Sequence, residues 1–117
     1  MIVQKKAFFI DIDGTLIADS LTIPAKNIAA IDTARAKGHK VFINTGRSKG
    51  NIPPELLLQV EFDGILSGNG TVIEIDNKVI SKAFLPAETV FEFAEICFRK
   101  PELWSVFKEA EQYRNSC

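Results

Sequence analysis

The sequence predicts an α/β fold, a Rossmann-like parallel sheet with βαβ units, on the basis of three apolar runs and one helical repeat. The apolar runs cover residues 7–10, 41–43 and 64–66, and each is followed by a polar turn that contains glycine. Continuous apolar runs of this length are typical of parallel strands that are buried on both faces. Residues 24–37 carry apolar side chains at helical spacing, so the first two strands and this helix form a parallel βαβ unit.

The segment after the third strand predicts a β-hairpin followed by helices. Residues 71–75 and 78–81 flank Asp76 and Asn77, two residue types that tolerate positive φ and favour a tight turn. Beyond residue 86, helix formers and aromatic residues replace the strand pattern. A further apolar stripe, which predicts a last helix, consists of Leu103, Val106, Phe107 and Ala110.

Composition limits the class of protein. The chain has 117 residues, 25% of them charged, and a formal net charge of -1, which fits one compact domain and gives no basic surface for nucleic acid or an anionic membrane. With only two cysteines, no disulfide framework is indicated, and we expect a reducing, cytoplasmic location. The apolar start is interrupted by Asp11 and Asp13, and it is too short for a signal peptide or a membrane span.

Polar residues follow each of the three predicted parallel strands, at 11–15, 44–48 and 67–70. Because the carboxyl ends of parallel strands share one edge of the sheet, we expect these clusters to line one ligand site. Asp11 and Asp13 would lie on the same face of an extended segment, and a hard cation such as Mg²⁺ would offset their repulsion. The alternative is an ordinary Asp-Gly turn with solvated carboxylates.

Three motifs in these clusters resemble those of the haloacid dehalogenase-like superfamily. Asp11-Ile12-Asp13-Gly14-Thr15-Leu16 is similar to its first motif, and Ile43-Asn44-Thr45-Gly46-Arg47 is similar to its second. Ser67-Gly68-Asn69-Gly70-Thr71 resembles the segment before the inserted cap in the Cof-type sugar-phosphate phosphatase branch. The resemblance extends from about residue 5 to about residue 85 and implies a phosphatase that acts on a small phosphorylated metabolite.

The resemblance also implies roles for the first motif. Asp11 would be the nucleophile that attacks phosphorus and forms an aspartyl-phosphate. Asp13 would protonate the leaving oxygen and then deprotonate the incoming water. Mg²⁺ would be held by the Asp11 carboxylate and the Asp13 main-chain carbonyl, and it would offset charge on the phosphoryl oxygens. Gly14 would let the chain turn sharply away from the site.

The other two motifs would bind phosphate or substrate. The Thr45 hydroxyl and the Gly46 amide would stabilise the transferring phosphoryl group, a role whose loss typically costs about 10²- to 10³-fold in rate. Arg47 would hold substrate or phosphate, although an ordinary surface arginine is the alternative. Asn69 and Gly70 would contact the substrate, or they would only form a turn.

The sequence departs from the family beyond residue 85. No residues match the third-motif lysine or the fourth-motif acidic pair, so we expect a chain truncated before those motifs. On this interpretation residues 1–83 are a partial core with its hairpin, and residues 84–117 are a truncated, helical remnant of the cap. The strand at 7–10 then becomes an exposed edge, which predicts a homo-oligomer or a completing partner chain.

These observations leave three functional hypotheses. The first is an Mg²⁺-dependent phosphatase of small phosphate monoesters, of the sugar-phosphate type, with an aspartyl-phosphate intermediate. The second is a catalytically incomplete fragment that binds metal or phosphate, or that needs a partner chain. The third is a receiver-like domain, which is disfavoured because the third strand ends in Ser67-Gly68 and not in a phosphate-accepting aspartate.

Overall fold

A computed structural model describes residues 4–100 and residue 102. The strands are β1 (Ala7–Ile10), β2 (Lys40–Asn44), β3 (Gly64–Ser67), β4 (Val72–Ile75) and β5 (Lys78–Lys82), and the helices are α1 (Ala25–Ala36), α2 (Pro54–Leu57) and α3 (Ala87–Arg99). Short 3-10 turns at Lys49–Asn51 and Gly68–Gly70 follow β2 and β3. The predicted order of strands and helices is therefore confirmed as far as residue 100. The stripe predicted at 103–110 lies outside the described residues.

All five strands form one sheet in the order β1-β2-β3-β4-β5. β1, β2 and β3 are parallel, whereas β4 and β5 are antiparallel and form the predicted hairpin. Asp76 and Asn77 adopt φ values of 50° and 61° in its turn. Two consecutive residues with positive φ match the twist of the flanking strands, which is why this dipeptide determines the hairpin. The Rossmann-like α/β fold and the hairpin are as predicted.

The core lies on one face of the sheet, between β1 to β3 and the segments that connect them. Val41 and Ile43 point from β2 into this core. The other buried members of this cluster come from the loops and helices: Ile12, Leu16, Ile17, Ile23, Ile31, Ile52, Leu56 and Val60. Since burial of one such side chain contributes about 1.5–3 kcal/mol, this cluster is the main support of the β1 and β2 turns.

The expectation that the first strand is buried on both faces is wrong for the described part of the chain. β1 pairs only with β2 and forms the edge of the sheet, and Phe8 and Phe9 are 42% and 56% exposed. The apolar run correctly predicts a strand, but burial requires neighbours, and no element within residues 4–100 covers this edge. The exposed edge agrees with the expectation for the strand at 7–10 that followed from the family resemblance.

The opposite face of the sheet is also partly open. Phe42 lies between two core residues of β2, so it points to the other face, where its ring stacks on Phe9 at a centroid distance of 5.2 Å. α3 forms as predicted but buries none of its residues, and Phe91, Phe93, Ile96 and Phe98 are exposed. No helix of the described chain is long and apolar enough to cross a membrane.

An ionic cluster around the buried carboxylate of Asp63 lies at the amino-terminal end of the strands. The Asp63 carboxylate accepts hydrogen bonds from the Val41 N–H at 2.8 Å and from Arg35 Nε at 3.2 Å, and Lys40 Nζ lies 3.4 Å away. Burial alone would raise the pKa of Asp63, but the Val41 N–H and the Arg35 guanidinium outweigh it and lower the pKa below its ordinary value. This cluster joins α1, β2 and β3 at the end of the sheet away from the polar clusters.

Candidate active site

The three polar clusters meet at one edge of the sheet, as predicted from the strand ends. Ile10 pairs with Ile43, and Asn44 pairs with Leu66, so the carboxyl ends of β1, β2 and β3 are level with one another. Each cluster therefore begins at the same height along the sheet. About 20 or more positions of sequence separate one cluster from the next, and the sheet brings the clusters together. This arrangement is consistent with ligand binding outside the carboxyl ends of parallel strands.

Asp11 is exposed at the end of β1, and the buried residues after it hold it in place. Its Oδ1 accepts a hydrogen bond from the Ile12 N–H at 2.8 Å, and its main-chain carbonyl accepts one from the Leu16 N–H at 3.1 Å. Ile12 and Leu16 are both fully buried, so the turn is anchored on either side of the carboxylate. Among residues 4–100, no cationic side chain forms an ion pair with Asp11.

Asp13 is paired with Arg47, which joins the first cluster to the second. Arg47 Nε donates to Oδ2 at 2.8 Å and Nη2 donates to Oδ1 at 2.6 Å, so the contact is bidentate. The hydrogen bonds from Arg47, assisted by its charge, lower the pKa of Asp13, and the same contact raises the pKa of Arg47. Asp13 is therefore a carboxylate in this state and has no proton to give to a leaving group.

This geometry revises the basis of the predicted carboxylate pair. β1 ends at Ile10 and Ile12 lies in a turn, so the extended segment assumed for Asp11 and Asp13 does not continue through both residues. Gly14, whose φ of 79° is left-handed, continues that turn. The charge of Asp13 is offset by Arg47 and not by its neighbour, a pairing over 34 positions that local spacing does not reveal.

Thr45 is buried at the carboxyl end of β2, with its hydroxyl oriented by the main chain. Its N–H donates to the Leu66 carbonyl and its carbonyl accepts from the Asn69 N–H, both at 2.9 Å. Its Oγ1 accepts a hydrogen bond from the Arg47 N–H at 3.1 Å. Because that bond uses the oxygen as acceptor, the hydroxyl hydrogen is free to donate to an incoming oxygen.

The third cluster packs directly on the second. The Gly68 N–H donates to the Arg47 carbonyl at 2.7 Å. A Cβ added at Gly46 would lie 3.4 Å from Asn69 Oδ1, so the Asn69 side chain is in contact with the Gly46 main chain. Asn69 and Gly70 adopt φ values of 55° and 93° in a 3-10 turn. They form a turn, as the simpler interpretation holds, and the turn places the Asn69 amide beside the second motif.

Ser48, in the second cluster, and Lys49, which follows it, were not singled out from the sequence. Ser48 Oγ is buried and has no hydrogen-bond partner within the described chain. Lys49, the cation nearest in sequence to Arg47, forms an ion pair with Glu74 of β4. Their position next to the second motif was the only available signal, because the burial of Ser48 and the ion pair of Lys49 depend on the fold. Lys78 and Lys82 lie on β5, at the edge of the sheet farthest from Asp11.

The donor set suits an open, weakly held Mg²⁺ and not a closed metal cage. Within residues 4–100 there is no group of three acidic, histidine or cysteine side chains that could hold a metal. Asp11 has one carboxylate oxygen that is not used by Ile12, and the Asp13 main-chain carbonyl belongs to the same turn. Mg²⁺ commonly binds through one or two carboxylates, with water and substrate phosphate completing its shell. The two residues fit that mode.

Comparison with known proteins identifies relatives of this chain. It is 32% identical over 87 residues to YkrA of Bacillus subtilis (strain 168), which has a provisional phosphatase designation; the match covers 74% of this chain and 34% of that protein. A solved sugar phosphatase of subclass IIB, BT4131, is 40% identical with a TM-score of 0.68, and 83% of this chain matches 38% of it.

BT1666 of Bacteroides thetaiotaomicron, described as a phosphatase of the haloalkanoate (HAD) enzyme superfamily, is 27% identical with a TM-score of 0.71. The match covers 81% of this chain and 35% of BT1666. The chain thus spans about a third of the length of the relatives that it matches. The sequence profile described as haloacid dehalogenase-like hydrolase matches residues 8–116, so the similarity to the family extends beyond the limit of about residue 85 that the motifs predicted. The chain therefore belongs to the haloacid dehalogenase-like hydrolase family.

Proposed function

We propose that this chain carries the nucleophile and the phosphate-binding groups of an Mg²⁺-dependent phosphatase for small phosphate monoesters of the sugar-phosphate type. The observation that carries the proposal is the position of Asp11, an exposed carboxylate that is anchored on both sides and follows β1 at the sheet edge where Thr45 follows the neighbouring strand β2. The phosphatases among the relatives, one of them a sugar phosphatase, support the same assignment.

In the proposed reaction, an Asp11 oxygen attacks phosphorus and the bond from phosphorus to the leaving oxygen breaks. Water, which would give its proton to Asp13, then attacks phosphorus of the aspartyl-phosphate; the bond from phosphorus to the Asp11 oxygen breaks, which releases inorganic phosphate and restores the carboxylate. The Thr45 hydroxyl and the Gly46 amide would donate to the phosphoryl oxygens in both steps. Mg²⁺, held by the Asp11 carboxylate and the Asp13 carbonyl, would supply positive charge against those oxygens.

Asp13 can serve as the acid only after Arg47 leaves it. A phosphate dianion that enters the site competes with Asp13 for the guanidinium, since both present paired oxygens to the same donors. Once Arg47 moves to phosphate, the hydrogen bonds that lower the pKa of Asp13 are lost, and the carboxyl would take a proton from solvent water and pass it to the leaving oxygen. Substrate binding and the supply of that proton are thereby coupled.

A second candidate is binding of phosphate or Mg²⁺ without turnover. It is favoured by the charge balance around Asp11, because within residues 4–100 no lysine or arginine forms an ion pair with that carboxylate. A nucleophile and a phosphoryl group would then carry negative charges that Mg²⁺ and Arg47 alone must offset. This candidate predicts ligand affinity but no product.

The test is hydrolysis of an aryl phosphate and of a panel of sugar phosphates by the purified chain, with Mg²⁺ or with EDTA. Asp11→Asn removes the nucleophile, and Asp32→Asn is the matched control, because Asp32 is an exposed aspartate on α1. The proposal expects EDTA and Asp11→Asn to abolish turnover and Asp32→Asn to retain it. Equal rates in all variants would refute it, and phosphate binding without turnover would establish the second candidate.

A further inference from the structure

The second-motif loop, defined as residues 45–51, is tied to the sheet at two points. Near its start, the Arg47 carbonyl accepts a hydrogen bond from the Gly68 N–H at 2.7 Å. Near its end, Lys49 Nζ forms an ion pair with the Glu74 carboxylate of β4, a contact that spans 25 positions of sequence. A main-chain hydrogen bond therefore holds the first half of this loop, whereas the ion pair holds the second half.

Glu74 lies on the face of the sheet that carries the core, where the ion pair is partly shielded from water. Glu74 pairs with Ile65 of β3, which packs against the core, and directly paired residues project from the same face. The Lys49 and Glu74 side chains are 29% and 18% exposed, and Leu57 and Phe62 line the same small cavity. Because partial burial reduces screening by water, these two charges hold each other more firmly than an exposed pair does.

The turn at the end of the loop is weak by itself. Lys49–Asn51 is a single 3-10 turn, a structure with poor hydrogen-bond geometry, and within the described chain Ser48 gives it no side-chain cap. Arg47 Nη1 donates to the Asn51 carbonyl at 3.4 Å, so the guanidinium lies against this turn. A displacement of the turn would therefore also displace the group that binds Asp13.

We propose that the ion pair between Lys49 and Glu74 positions the second-motif loop for phosphate binding. It keeps the Gly46 amide and the Arg47 guanidinium aligned, although Lys49 itself does not contact phosphate. Because the main chain is held at both points, the Arg47 side chain can exchange between Asp13 and phosphate while the Gly46 amide stays in place. The effect on turnover rests on the proposed phosphatase function, whereas the effect on the loop does not.

A direct contact between Lys49 and phosphate is the alternative, and Glu74 distinguishes the two roles. If Lys49 had to leave Glu74 in order to reach phosphate, Glu74→Gln would release the ammonium and strengthen phosphate binding. If Lys49 only positions the loop, the same change loosens the loop and weakens phosphate binding. The two roles thus predict effects of opposite sign for one substitution that conserves shape.

Amide hydrogen exchange, measured by NMR on the full chain, tests the loop independently of activity. The Gly68 N–H reports on the loop because it donates to the Arg47 carbonyl. The Val41 N–H, which donates to a buried carboxylate at the other end of the sheet, is the reference. We expect Lys49→Met and Glu74→Gln each to raise the exchange rate of Gly68 relative to Val41 about tenfold.

Lys40→Met is the matched control for hydrogen exchange. It also removes a lysine from an ion pair with an acidic residue, Asp63, but at the amino-terminal end of the same sheet. The exchange rate of the Gly68 N–H should therefore stay at its wild-type value in Lys40→Met. An unchanged Gly68 rate in Lys49→Met, or an equal rise in Lys40→Met, would overturn the proposal.

The same variants are assayed for hydrolysis of an aryl phosphate with Mg²⁺. Lys49→Met and Glu74→Gln should each lower kcat/KM about tenfold. The double variant Lys49→Glu with Glu74→Lys restores the attraction but moves the ammonium to β4, so it should recover turnover that either reversal alone loses. A rise in kcat/KM in Glu74→Gln, or no recovery in a double variant that circular dichroism shows to be folded, would overturn the proposal. If the double variant does not fold, the sign of the change in Glu74→Gln decides.

If the wild-type chain shows no turnover, the proposed function fails, and hydrogen exchange alone judges the ion pair. Faster exchange at Gly68 in both Lys49→Met and Glu74→Gln would then support the positioning of the loop, and an unchanged rate would overturn it. If the wild-type chain is active, unchanged turnover in variants with faster Gly68 exchange would overturn the role of the ion pair in phosphate binding.

Discussion

Arg35 and Arg47 each form an ion pair with an aspartate, and a comparison of the two distinguishes a structural ion pair from a functional one. Each arginine side chain is 27% exposed and donates from two nitrogens to an aspartate. The aspartates differ: Asp63 is 7% exposed, whereas Asp13 is 57% exposed. We predict that Arg35→Met lowers the free energy of unfolding far more than Arg47→Met does, and that only Arg47→Met removes the proposed phosphatase activity.

The expected loss of unfolding free energy in Arg35→Met depends on which hydrogen-bond partners Asp63 retains. The Val41 N–H at 2.8 Å and Lys40 Nζ at 3.4 Å remain after the arginine is removed, so the carboxylate loses part of its pairing but stays buried. Loss of a charged partner from a buried group costs about 1–3 kcal/mol. In a domain of this size such a loss lowers the melting temperature by roughly 4–8 °C for each kcal/mol.

Arg47→Met exposes Asp13 to water, which solvates the freed carboxylate, so its unfolding transition should stay close to that of wild type. Urea unfolding followed by circular dichroism measures both variants, and aryl phosphate hydrolysis is measured on the same samples. Equal destabilisation by the two changes would refute the claim that burial of the carboxylate decides the cost. Full activity in Arg47→Met would remove Arg47 from phosphate binding.

Three further predictions follow from single residues. The pKa of Asp63 is lowered on folding. The contribution of this carboxylate to stability is therefore present above the ordinary pKa of 3.8 and is lost as the pH falls through the lower pKa of the folded state. The urea midpoints at pH 5 and near pH 2 should differ less in Asp63→Asn than in wild type. Gly14→Ala should lower the free energy of unfolding by about 1–2 kcal/mol through its φ of 79° alone, because no atom lies within 4 Å of the new Cβ; no change in the urea midpoint would contradict this. Thr45→Val should lower kcat about 10²- to 10³-fold. Thr33→Val, a change on α1, is the control and should leave kcat unchanged. Equal kcat values for the two variants would exclude the Thr45 hydroxyl from the site.

Much of the fold and of the candidate site was predictable from local patterns. The three strands and the hairpin follow from apolar runs and from turn residues whose φ preferences act within a few positions. The meeting of the three polar clusters follows from the parallel order of β1, β2 and β3. The roles given to Asp11, Asp13 and Thr45 come from the family resemblance and stay predictions until the variants are assayed.

The sequence by itself determined where each strand ends and which polar residues follow it, because strand propensity and turn chemistry are properties of neighbouring residues. Only the tertiary structure decided that Arg47 binds Asp13 across 34 positions and that Asp63 is buried beneath Arg35. Burial and charge pairing depend on which distant segments come into contact. A residue's own neighbours in sequence carry no record of those contacts.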